Sequence, residues 1–214
     1  MLINKKEAIR YLGYGKNTPD EATMEMIDRC IEQVMNISSP RHIYRVYELS
    51  VNGQEISAGG INFKSRNLSK NLTGCDKIIF FAATLGSGPD MLMNRYQKLS
   101  ISMAAVLQAV AAAAIESYCD ECQRKIEAEM KLHGYYVRPR FSPGYGDLSI
   151  EVQRDFTSVL NTYKSIGVTL SDGNVMIPEK SVTAFMGLSR EDSKCHIQGC
   201  ELCNKKDCSF RRNS

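Results

Sequence analysis

The sequence predicts an α+β fold, a mixed and mainly antiparallel twisted sheet with helices packed on it. Three observations carry this. Stretches of helical and strand period mix without the regular alternation of a doubly wound sheet. Asn52-Gly53, between two strand-like stretches, is a hairpin signal, and hairpins join antiparallel strands. Lys77 to Thr84 is a continuous apolar run, the pattern of a central strand buried on both faces. The 214 residues and 24.0 kDa suit one large domain, residues 1–190, with a small Cys-rich tail over 191–214.

In order, Asn4 can cap a short helix from Lys5 to Leu12 that ends at Gly13. Thr18-Pro19-Asp20-Glu21 is a helix start, with a hydroxyl cap, Pro at the first helical position and acids near the positive end of the dipole. Met24, Ile27, Ile31, Val34 and Met35 recur at helical spacing, so this helix runs to Asn36 with one buried face. Ile43 to Val51, rich in Tyr, Val and Ile, reads as a strand. Gln54 to Phe63 returns beside it, with Gly59-Gly60 as a bulge or bend.

After the apolar run comes Leu85-Gly86-Ser87-Gly88-Pro89. It lacks the third glycine of a dinucleotide fingerprint and the Gly-Lys-Ser/Thr ending of a P-loop, so it reads as a connecting or ligand-lining loop. Pro89 opens a helix to Leu99, and Ser100 caps a longer one from Ile101 to Leu132, ended by Gly134. The first half of that helix is rich in Ala and suits close packing; its second half, Glu116 to Lys131, is charged and amphipathic. Glu116 stands where the apolar character gives way, as either a solvated boundary carboxylate or a ligand-pointing one. Tyr135 to Arg138 is a short strand. Ser149 to Ser165 reads as a helix with Val152, Phe156, Val159, Leu160 and Tyr163 on one face, closed by Gly167. Val168 to Leu170 and Val175 to Ile177 are short strands around Asp172-Gly173, and Ser181 to Leu188 is a last strand.

Composition narrows the function. A net charge of +3 without a Lys/Arg stripe gives no case for nucleic acid. The most apolar segment, Met103 to Ile115, is too short to span a bilayer. Met1 to Glu7 has no apolar core like that of a secretory signal, so the chain reads as cytoplasmic with no membrane partner. Cysteine usage agrees: Cys30, Cys75, Cys119 and Cys122 are scattered, unlike the disulfide framework of a small secreted domain. Cys119 and Cys122 fall inside a helix rather than at its start, where a redox pair gains from the dipole, and read as buried structural thiols. His42 and His133 stand alone as surface or packed residues.

Two stretches can carry chemistry. The first is Val137-Arg138-Pro139-Arg140-Phe141-Ser142-Pro143-Gly144-Tyr145-Gly146-Asp147. Its prolines stiffen the backbone, Pro143-Gly144 is a turn signal, and its glycines let backbone approach a ligand. A stiff loop with Arg and Tyr suits a planar anionic or zwitterionic ligand, because Arg offers a bidentate fork to carboxylate. The plainer alternative is a structural turn with a solvated Arg140. The second stretch is the tail. Cys195, Cys200, Cys203 and Cys208 have metal-ligand density, and their spacings suit either a zinc ion or an iron–sulfur cluster. Asp147 and Glu151 have a sufficient structural reason near a helix start.

Arg140-Phe141-Ser142-Pro143-Gly144-Tyr145 resembles the signature of the activation domain of cobalamin-dependent methionine synthase, an Arg, two residues, then Pro-Gly-Tyr. Upstream, Ala113-Ala114-Ile115-Glu116-Ser117-Tyr118 looks like the family's helix with a ligand-facing Glu. Downstream, Ile177-Pro178-Glu179-Lys180-Ser181-Val182-Thr183 looks like its segment with Pro before Ser-Val. The family's Tyr in the final strands is replaced near Phe185-Met186. The resemblance covers Met103 to Ser193 and implies that residues 1–190 bind S-adenosylmethionine. Arg140 would pair with the methionine carboxylate and Glu116 would hydrogen-bond a cationic or hydroxyl part of the ligand. Pro143 and Gly144 would shape the approach, and Tyr145 would contact the ligand or the corrin.

The resemblance further implies an accessory subunit rather than a complete enzyme. It would act in trans on a corrinoid-binding methionine synthase or related methyltransferase, with cobalamin on that partner and an electron donor. The tail is absent from the large single-chain enzymes of this kind. The alternative is a metal-cluster redox, electron-transfer or interaction protein, in which the tail is primary.

Overall fold

The computed structural model describes residues 2–15 and 17–192. It is α+β, with a six-stranded sheet and helices on both faces. The elements are α1 (Lys5–Tyr11), α2 (Glu21–Ile37), β1 (Arg41–Asn52), β2 (Glu55–Ala58), β3 (Ile61–Lys64), α3 (Arg66–Asn71), β4 (Cys75–Thr84), α4 (Gly88–Leu99) and α5 (Ile101–Leu132). They continue with β5 (Tyr136–Val137), α6 (Val152–Leu160), α7 (Thr162–Ile166), β6 (Thr169–Leu170), β7 (Met176–Ile177) and β8 (Ser181–Ser189). The main sheet has the order β3-β2-β1-β4-β8-β5 and every pairing is antiparallel; β6 and β7 form a separate small hairpin.

β4 is central because its side chains are apolar on both faces. Ile79, Phe81 and Ala83 enter one core, with α1, α2, α4 and α5. Ile78, Phe80 and Ala82 enter the other, with α3, α6 and α7. The second core is aromatic: Phe80 stacks on Phe156, and Phe185 meets both edge-on. α5 is long and apolar enough, by length and composition, to cross a membrane. The shorter apolar core seen in the sequence understated it. In the fold its apolar stripe, from Met103 to Met130, is buried against the sheet and α1, α2 and α4.

Four local expectations change. The cap of α2 is Asp20, whose carboxylate accepts from Thr23 N at 2.8 Å, rather than Thr18. The buried face of α2 is Ile27, Cys30 and Val34, while Met35 is 46% exposed, because a spacing of three to four residues runs from Ile27 through Cys30. Gly59-Gly60 is a full two-residue turn between β2 and β3, with both φ angles positive (59° and 81°), not a bulge in one strand. The helix expected over Ser149 to Ser165 breaks at Asn161, which takes a left-handed φ of 52°; beyond it Tyr163 faces solvent. The loop Leu85 to Ser87 connects β4 to α4. A Cβ on Gly88 would lie 2.3 Å from the Ile37 carbonyl oxygen, so glycine there lets α4 start against the end of α2.

Candidate functional site

The loop after β5 stays beside β8 but changes register. Val137 pairs with Leu188, and Arg138 N donates to Gly187 O at 2.8 Å. Phe141 and Phe185 then exchange both backbone bonds, at 2.9 and 2.8 Å. From Val137 to Phe141 the chain advances one residue more than β8 does from Leu188 to Phe185, so the extra residue falls at Pro139-Arg140. Pro139 has no N–H for a ladder, and a bulge there re-aims the next side chain. Phe141 enters the aromatic core while Arg140 reaches to α5 on the opposite side of the sheet.

The Arg140 guanidinium donates through Nη2 to Asp120 Oδ1 at 2.6 Å and Glu116 Oε2 at 3.2 Å, and through Nη1 to Gln123 Oε1 at 2.9 Å. These three partners share one face of α5 at the spacing of helical neighbours. Only 15% of the Arg140 side chain is exposed, which rules out the solvated alternative. Burial opposes its charge, but Cys119, Asp120 and Glu116 outweigh that and raise its pKa. At neutral pH the carboxylates carry the effect, because burial also keeps the Cys119 thiol protonated. Arg138 differs: it is buried, and its Nη2 donates to the Thr73 carbonyl at 3.2 Å.

The rest of the loop is a tight, pinned turn. Gly144 takes a φ of +85° and donates to Leu148 O at 2.9 Å; Tyr145 N donates to Ser142 O at 3.1 Å. Pro143 is buried, and Tyr145 is 61% exposed. Asp147 ties this turn to α3: its carboxylate accepts from Ser65 Oγ (2.6 Å), Arg66 N (2.7 Å) and Asn67 N (3.1 Å). Its structural role is therefore at the start of α3, not of the helix that follows it in sequence.

The structure brings Glu116 and Arg140 together, and places Pro143, Gly144 and Tyr145 on the turn that follows Arg140. Asp120 and Gln123 join them without having been singled out; their signal was the helical spacing from Glu116. Phe185, in the last strand, is fully buried in the aromatic core. Cys119 and Cys122 are buried on α5, as a structural reading requires. Among the described residues no group of three or more His, Cys, Asp or Glu could hold a metal ion. Cys195, Cys200, Cys203 and Cys208 lie outside the described residues.

Antiparallel order and helices on both faces make an α+β domain, and its fold is that of a MetH reactivation domain of known structure. Among solved structures the chain is similar to the crystal structure of the MetH reactivation domain bound to AdoHcy. The TM-score is 0.58 at 16% sequence identity, over 89% of this chain and 78% of that one. At that identity the likeness establishes the fold. No protein-family model and no curated protein matches the chain.

Proposed function

We propose that this chain binds S-adenosylmethionine and supports reductive remethylation of cob(II)alamin on a partner, a cobalamin-dependent methionine synthase or related corrinoid methyltransferase. One observation carries the reading: a nearly buried guanidinium, Arg140, is aimed by a bulge at the carboxylate face of α5, in a fold shared with a domain solved with AdoHcy. Arg140 holds the methionine carboxylate as a charge-assisted fork. Glu116 faces the cationic or hydroxyl part of the ligand. Pro143 stiffens the turn, Gly144 lets backbone approach the ligand, and exposed Tyr145 meets the ligand or the partner's corrin. In the reaction, the methyl group passes from S-adenosylmethionine to the corrinoid together with one electron from a reductant, leaving S-adenosylhomocysteine.

Titration of the purified protein with S-adenosylmethionine, alone and with a corrinoid methyltransferase added in trans, tests this. Saturable binding is expected, and its absence under both conditions overturns the reading. The tail belongs to the same proposal: Cys195, Cys200, Cys203 and Cys208 hold zinc as a structural knot or an iron–sulfur cluster that delivers the electron. Metal analysis of anaerobically purified protein decides this part. Iron with sulfide favours the cluster, stoichiometric zinc favours the knot, and neither metal removes the tail from the reading.

A further inference from the structure

Arg140 is not waiting with a free fork. Its Nη2 donates to two carboxylates of α5, and these differ in position: Asp120 is 57% exposed and Glu116 33%. Asp120 is thus the outer partner, yet it makes the shorter contact, 2.6 Å against 3.2 Å. The two acids stand four apart on one helix, an arrangement that like-charge repulsion disfavours unless a cation lies between them. One guanidinium between two carboxylates leaves a net negative cluster that repels a third carboxylate, and both Nη2 protons are already donated.

We propose that Asp120 is an internal competitor for the ligand's carboxylate: it holds Arg140 through Nη2 and must release that group before the ligand's amino-acid end can bind. The inference rests on the function proposed above. Asp120 is the partner that gives way, because it is the more exposed and regains water more readily once released, whereas Glu116 stays with the ligand. The device tunes affinity. A site whose Arg140 is available a tenth of the time binds about tenfold more weakly than its intrinsic affinity, since apparent affinity scales with the competent fraction. It also makes the site selective, because only a ligand that brings its own carboxylate repays the exchange.

The test uses S-adenosylhomocysteine, whose sulfur is uncharged, and 5′-methylthioadenosine, which lacks the amino-acid end, titrated into the full chain and into Asp120→Asn and Asp120→Ala. S-adenosylhomocysteine is expected to bind about tenfold tighter to both variants, with 5′-methylthioadenosine unchanged. Unchanged or weaker S-adenosylhomocysteine binding in both variants overturns the competitor role. An equal gain for 5′-methylthioadenosine overturns it too, since the effect would then owe nothing to the carboxylate. If the unsubstituted chain binds neither S-adenosylmethionine nor S-adenosylhomocysteine, the proposed function itself falls and takes this inference with it.

Discussion

In the proposed site the chemistry is concentrated in one side chain, Arg140. Replacing it with Ala removes charge-assisted hydrogen bonds from a nearly buried position. Arg140→Ala is therefore expected to weaken S-adenosylmethionine binding by about 1.5–3 kcal/mol in a calorimetric titration. Unchanged affinity would remove Arg140 from the site. Arg140→Lys should recover little, because a point-charge ammonium cannot reach Glu116 and Gln123 as a planar fork does. In the sequence Arg140 is preferred to Arg138 by its spacing to Pro143-Gly144-Tyr145, and in the structure Arg140 is the one that reaches α5. Of its partners, Glu116 was a candidate from the sequence, but Asp120 and Gln123 were not, because Asp120 meets it across 20 residues of chain and only the docking of the loop on α5 selects that face.

The loop works as an element because it is pinned at both ends, to β8 by backbone bonds and to α3 by Asp147. Asp147→Ala removes a cap made from a distant segment and should cost about 1–3 kcal/mol in urea unfolding. Its pKa is set by opposing effects: burial raises it, but hydrogen bonds from Ser65, Asn67 and Arg66 outweigh that and lower it overall. The sign follows. A depressed carboxylate stabilises above its unfolded pKa, and that contribution fades as pH falls through the folded value. The difference between Asp147→Ala and the unsubstituted chain should therefore narrow in acid, below about pH 4. Elsewhere, Gly88→Ala would push α4 off the Ile37 carbonyl and should cost about 1–3 kcal/mol, read as a lowered melting temperature. α3 escaped the sequence because Arg66–Asn71 is too short to show a period, and its start is fixed by Ser65 together with the remote Asp147. The break at Asn161 escaped because Val159 and Leu160 continue a helical pattern up to it.

At the scale of the molecule, a sheet buried on both sides encloses thiols that water does not reach. Burial raises the Cys30 thiol from 9.0 to about 11, and raises Cys119 and Cys122 as well. A group whose folded pKa is raised contributes stability that is full below its unfolded pKa and is lost as pH rises toward the folded one. Stability should thus fall between pH 9.0 and about 11 as the unfolded chain releases thiol protons that the native state retains. Melting temperature across that range checks it. A variant with Ala at positions 30, 119 and 122 should show a shallower fall, whatever its stability at neutral pH. The same two-sided burial explains α5: its hydropathy suits a lipid-facing helix, but its partners are the sheet and three other helices.

By itself the sequence determined what short-range chemistry can encode. The Asn52-Gly53 turn, the Ser100 cap, the apolar run of β4 and the rigid Arg140-to-Tyr145 loop each depend on residues a few positions apart. Tertiary structure alone decided the strand order, the bulge that turns Arg140 away from the aromatic core, and its pairing with Glu116, Asp120 and Gln123. The physical reason is range. Backbone propensity and side-chain period act within a turn or two of chain, whereas a buried guanidinium takes the carboxylates that packing brings to it, however distant in sequence.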